Sequence, residues 1–145
     1  MNCLTVSLFG HREIENLFAL EKKLVPVIKD LLQKNEYTSF LIGRNGEFDE
    51  FSASVIKRIK NSYGSECAEL NLILPYTTSK LEYYEKYYDN LIIPENLHKA
   101  HYKSAIVLRN RWMVEKSDLI IVYIERNSGG AYSAMKYAER LGKSK

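Results

Sequence analysis

Ser117-Asp118-Leu119-Ile120-Ile121-Val122-Tyr123-Ile124, followed by Ser128-Gly129-Gly130-Ala131, is the stretch that decides the reading of this chain. Six apolar residues in a row suit a strand buried on both faces. Two adjacent glycines just beyond it leave backbone N–H groups open where the next helix starts, which favours an anion there. Arg109 lies on the segment before the strand and adds a fixed cation. A strand, a glycine turn and a helix are the parts from which an α/β protein builds a ligand pocket.

The same sequence of parts occurs twice more. Leu4–Phe9 is a short apolar run closed by Gly10, and Tyr37–Ile42 is another closed by Gly43. Between them Ile14, Leu17, Phe18, Leu24, Val25, Ile28, Leu31 and Leu32 repeat at helical spacing. Pro26 falls inside that helix, which predicts a kink or a break. Phe48 to Tyr63 is a second amphipathic helix stopped by Gly64, and Leu70–Leu74 a third strand ended by Pro75. Residues 76–101 crowd Tyr76, Tyr83, Tyr84, Tyr87 and Tyr88 into a charged stretch that also holds His98 and His101. This segment reads as a lid made of a short helix, an extended piece and a loop. Tyr102 to Lys116 is helical, Leu119–Ile124 is a fourth strand, and Ala131–Leu141 is the last helix.

Apolar strands alternating with amphipathic helices imply a Rossmann-like, three-layer α/β/α fold with a mostly parallel sheet. Right-handed crossovers make the first and fourth strands neighbours at the switch point, so the three glycine loops share one rim. A single domain over residues 1–145 is expected, since 145 residues suffice for one full core. The fourth strand is left as an edge, and an uncovered Leu-Ile-Ile-Val-Tyr-Ile edge invites pairing, so a homo-oligomer is expected.

The bulk composition, 46% hydrophobic and 27% charged, is that of an ordinary globular chain. A net charge of +3, spread along the sequence, points away from nucleic acid and towards a small anionic ligand. Cys3 and Cys67 have no metal-ligand spacing, so no metal is expected. No stretch approaches the roughly 20 apolar residues of a membrane helix, and no signal-peptide pattern opens the chain. No membrane contact and a cytoplasmic location are therefore expected.

The candidate binding residues lie in the three loops. Gly10, His11 and Arg12 follow the first strand, with His11 and Arg12 expected at the N-terminus of the first helix. Gly43, Asn45 and Gly46 follow the second, with Asp49 placed either to cap the next helix or to take a sugar hydroxyl. Arg109, Ser128, Gly129 and Gly130 complete the set. No GK[ST] occurs, so P-loop hydrolysis of ATP is not expected.

In their order and spacing these motifs resemble the SLOG superfamily. The elements concerned are Gly10-His11-Arg12, Gly43-x-x-Gly46-x-x-Asp49, Arg109-Asn110-x-x-Met113-x-x-x-Ser117-Asp118 and Ser128-Gly129-Gly130-Ala131. The YpsA-like branch fits best, over about residues 4–142. Related branches are the LOG-type nucleotide phosphoribohydrolases and the Smf-type DNA-processing proteins. The resemblance implies a Rossmann-like fold that binds nucleotides or their derivatives. In the LOG-type pattern a catalytic Glu stands on the last helix, where this chain has Lys136. A cation there opposes an oxocarbenium-like transition state. The expectation is therefore a sensor or sequestering domain for a small nucleotide-like ligand, such as a cyclic nucleotide or an ADP-ribose derivative, with no cofactor. The alternative is an N-glycosidase acting on a nucleoside or nucleotide through Asp49 or Glu47.

Overall fold

The computed structural model describes residues 3–64, 66–95 and 102–144. Its elements run β1 (Cys3–Gly10), α1 (Leu17–Lys34), β2 (Tyr37–Ile42), α2 (Glu47–Tyr63), β3 (Ala68–Ile73), α3 (Leu81–Tyr87), β4 (Asn90–Ile92), α4 (Tyr102–Lys116), β5 (Leu119–Tyr123) and α5 (Gly130–Arg140). The strands form one sheet in the order β4-β3-β2-β1-β5, parallel throughout. Cys3 pairs with Tyr37 and Val6 with Leu119, so β1 is flanked by β2 and β5. The sheet changes direction at β1, and the C-terminal ends of β1, β2 and β5 lie together, as the alternation of elements predicts.

The pleat divides the core between two layers. Phe40 and Ile42 of β2 join Val6, Leu8, Leu24, Ile28, Phe48 and Ile56 on one face, under α1 and α2. Leu41 points the other way, with Phe9, Met113, Ile120, Ala134 and Ala138, under α4 and α5. The architecture is a three-layer α/β Rossmann-like fold with an all-parallel sheet.

Four details depart from the sequence reading. The helix expected from Ile14 starts at Leu17, because Asn16 is extended and its side chain accepts the Ala19 N–H at 3.0 Å, which caps the helix there. The same helix continues through Pro26 without a break. The packing of Leu20, Leu24, Ile28 and Leu32, spread along both halves of the helix, outweighs the one lost backbone bond. The extended piece of the expected lid is a strand, β4, paired with β3 from Asn71–Asn90 to Ile73–Ile92. Asp89 anchors it, accepting from Lys60 Nζ at 3.0 Å and from the Leu70 N–H at 2.7 Å, so Asn90–Ile92 belong to the sheet, while Leu81, Tyr84 and Tyr87 of α3 pack against the core under α1 and α2. Lastly, Ser144 lies beside Leu119, and its carbonyl accepts the Ile120 N–H at 2.8 Å, so the chain itself occupies part of the β5 edge. Among the described residues no helix is long and apolar enough to cross a membrane. His98 and His101 lie outside the described residues.

Candidate functional site

The rim at the C-terminal ends of β1, β2 and β5 is built by loops locked onto one another. A Cβ on Gly10 would run into the ring of Phe48, which is fully buried and stacks on Tyr123. A Cβ on Gly46 would strike the backbone of Arg12. Both glycines let one backbone approach another group closely. The first two loops are also tied by hydrogen bonds. The Glu47 N–H donates to the Arg12 carbonyl (2.8 Å), and the Ile14 N–H donates to Glu47 Oε1 (3.2 Å). The loop after β5 is tied in through His11, whose Nε2 accepts the Glu125 N–H at 2.9 Å. His11 is buried, and burial followed by the charge of Arg126 lowers its pKa, while Glu125 opposes the shift. The neutral ring can thus keep accepting that N–H.

A cavity of about 280 Å³ opens where these loops meet. It brings together Gly10, His11, Arg12, Asn45, Asp49, Arg109, Gly129 and Gly130, eight of the residues singled out from the sequence. Three others do not line it. Gly43 sits beneath Arg109, where a Cβ would come within 2.7 Å of Nη1. Gly46 sits beneath Arg12. Ser128 is exposed on the loop and outside the cavity lining. His11 and Arg12 are not at the start of α1, which begins five residues beyond Arg12; the loop they belong to is held instead by α2 and the β5 loop. Gly129 has φ +93°, a conformation that favours glycine, and starts α5 with its first turn at the cavity wall.

Arg126, Asn110 and Ile106 also line the cavity and were missed. Arg126 stands in the very loop that the glycines mark, and Asn110 is the neighbour of Arg109, so position in the motif was the available signal. Among the described residues neither Arg12 nor Arg126 has an ion-pair partner. Lys136 is not part of this wall; it lines a neighbouring hollow between α4 and α5 and pairs with Glu139 at 3.4 Å.

Two groups in the cavity are strongly perturbed. Arg109 is only 2% exposed. Its Nη1 donates to the Ile73 carbonyl at 3.0 Å and its Nε to Asn110 Oδ1 at 2.9 Å, which pins the guanidinium under the β2 loop. Burial lowers its pKa, with Asp49 and Tyr76 acting against the shift. Asp49 is half-buried and accepts the Asn45 N–H at 3.0 Å, so it caps the turn into α2. Burial pushes its pKa up to about 6, against the opposing pull of that hydrogen bond and of Arg109.

A second hollow of about 180 Å³ continues along the rim towards β3 and shares Asn45 and Arg109 with the first. Its walls include Arg44, Tyr76 and Tyr84. Arg44 donates to the Tyr88 hydroxyl at 3.1 Å, pairs with Glu50 at 3.1 Å and lies over the Tyr84 ring at 5.0 Å. The rim is therefore a trough with four arginines and two tyrosines rather than one closed pocket. Among the described residues no three His, Cys, Asp or Glu side chains are grouped as a metal site would need.

No protein-family model and no curated protein matches this chain. Among solved structures it resembles that of DNA processing protein A from Helicobacter pylori, reported for its unique single-stranded DNA binding mode. The TM-score is 0.67 at 13% sequence identity, and the match covers 98% of this chain and 63% of that one. The likeness is one of fold, over somewhat less than two thirds of that protein's length. It overturns two expectations: that the rim serves to sense or sequester a free nucleotide, and that nucleic acid is an unlikely partner. The physical error lay in using the net charge of +3 as the guide. A phosphate chain meets the local field of a surface, and here the cations are gathered on one rim.

Proposed function

We propose that this chain binds a single-stranded nucleic acid along the C-terminal rim of its sheet. The observation that carries the reading is the continuous trough: two hollows joined at Asn45 and Arg109, with Arg12 and Arg126 at one end and Arg44, Tyr76 and Tyr84 at the other. Unspecific single-strand binding needs a cationic groove for the backbone and aromatic faces for the bases. Arg12 and Arg126, lacking ion-pair partners among the described residues, take phosphates, as do the first N–H groups of α5. Arg109 is a fixed positive charge in the floor, and Tyr76 and Tyr84 offer ring faces. The similarity to a protein reported to bind single-stranded DNA supports the same reading. So does the order of the sequence motifs, which resembles that of the SLOG superfamily, a group that includes the Smf-type DNA-processing proteins.

Fluorescence anisotropy with a labelled oligothymidylate at low salt tests this directly. Binding is expected, and the paired change Arg12→Ser and Arg126→Ser should reduce the slope of log K against log salt by about 1.4, at about 0.7 for each lost phosphate contact. Absence of binding at low salt, or an unchanged slope in the variant, would refute the proposal.

A further inference from the structure

The rim cavity does not end at α5. Beside it a hollow of about 490 Å³ follows the groove between α4 and α5, and Ile106, Asn110 and Gly130 line both spaces. From Gly130 to Arg140 this groove is about 15 Å long at about 1.5 Å per helical residue. We infer that the bound strand leaves the rim at Gly130 and continues down the α4–α5 groove, its phosphates meeting Arg111, Lys136 and Arg140 and its bases meeting Tyr132 and Tyr137. This extended path rests on the single-strand reading of the rim.

Charge complementarity selects the occupant. The groove lining holds three cations and no carboxylate. All three are exposed, and each lies over a ring: Lys136 over Tyr132 at 5.5 Å, and Arg111 and Arg140 over Tyr137 at 5.4 Å each. Exposed cations resting on half-buried rings exchange readily onto phosphate, and the rings they leave are faces of the kind bases stack on. The one ion pair here, Lys136 with Glu139 at 3.4 Å, is exposed and therefore weak. Tyr137 is fixed in place by donating its hydroxyl to Glu115, so its ring is already set before a base arrives.

The test compares oligothymidylates of about four and about sixteen nucleotides, lengths that span known single-strand site sizes. The full chain is compared with its Arg111→Ser, Lys136→Ser, Arg140→Ser triple variant. The wild type should bind the longer strand more tightly. The triple variant should lose about ten-fold or more for the longer strand, with a salt slope smaller by about 2, and nothing for the shorter one. Tyr137→Leu, which removes the stacking face and keeps the charges, should also weaken only the longer strand. Equal affinity of wild type and triple variant for the longer strand, with Arg12→Ser still weakening both, overturns the groove path and leaves the rim reading intact. Failure of the wild type to bind either strand overturns both. Tight binding of an acidic peptide in the groove, with no loss of long-strand affinity in the triple variant, would give the surface to a protein partner instead. All three changed residues are exposed, so an unchanged melting temperature confirms that the fold is kept.

Discussion

Asp49 offers the sharpest physical test. Its pKa stands at about 6 against an ordinary 3.8, chiefly because burial disfavours the charged carboxylate. A gap of about two pH units corresponds to about 3 kcal/mol. Because the folded value lies above the unfolded one, the folded state holds the proton more firmly between the two. The penalty for the ionised group is full above pH 6 and is relieved as pH falls towards 4. Asp49→Asn keeps the shape and an oxygen for the Asn45 N–H, and removes the titration. At pH 8 the variant should be more stable than wild type, by up to about 3 kcal/mol in urea denaturation, and at pH 4 the two should coincide. Taking the difference between the two proteins cancels every other titrating group. Parallel stability curves from pH 4 to 8 would sink the reasoning. The same group should gate the site: ionised Asp49 offsets part of the Arg109 charge, so oligonucleotide binding should tighten as pH falls through 6 in wild type only. Each unit by which bound phosphate raises the pKa adds about ten-fold.

Gly10→Ala should cost about 1–3 kcal/mol, since the new methyl meets the Phe48 ring and neither can move freely; in thermal melts that is a fall of roughly 3–10 °C. Lys60→Ala should cost about 1–3 kcal/mol by leaving Asp89 without its cation, and hydrogen exchange at Leu91 and Ile92 should quicken; unchanged protection there would show that β4 is held otherwise. Gly130→Ala meets only ordinary contact, 3.6 Å from Asn110 Nδ2, so stability should hold or rise slightly while oligonucleotide affinity falls; unaltered binding would remove Gly130 from the site.

What could be read in advance was whatever is local in sequence. Leu119 to Tyr123, Tyr37 to Ile42 and the helical spacing of Leu20, Leu24 and Ile28 carry their own periodicity, and with it the parallel sheet and its switch point. β4 was hidden because three residues carry no period; what makes Asn90–Ile92 a strand is distant in sequence, the pairing with β3 and Asp89 held by Lys60 of α2 and the Leu70 N–H. Capping at Asn16 was overlooked because the apolar pattern continues back to Ile14, which is buried without being helical. The local charge of the rim is hidden from the net charge for a related reason. Counting charges along the chain ignores that Arg12, Arg44, Arg109 and Arg126 come from four distant segments and meet on one rim.

The same distinction sorts the glycines that marked the site in the sequence. Gly10, Gly43 and Gly46 are small because Phe48, Arg109 and the Arg12 backbone occupy the space a side chain would need. All three hold the loops together, and Gly43 and Gly46 do not line the cavity, whereas Gly10 does. Gly129 and Gly130 have no such neighbour, with open space around the first and only Asn110 near the second. Packing does not account for that pair. A left-handed turn accounts for Gly129, and Gly130 is left as the position where a bare backbone at a helix start faces the cavity. A glycine motif thus contains two kinds of constraint that look alike as letters, and the space around each one tells the glycines that lock the loops from the one whose bare backbone faces the cavity.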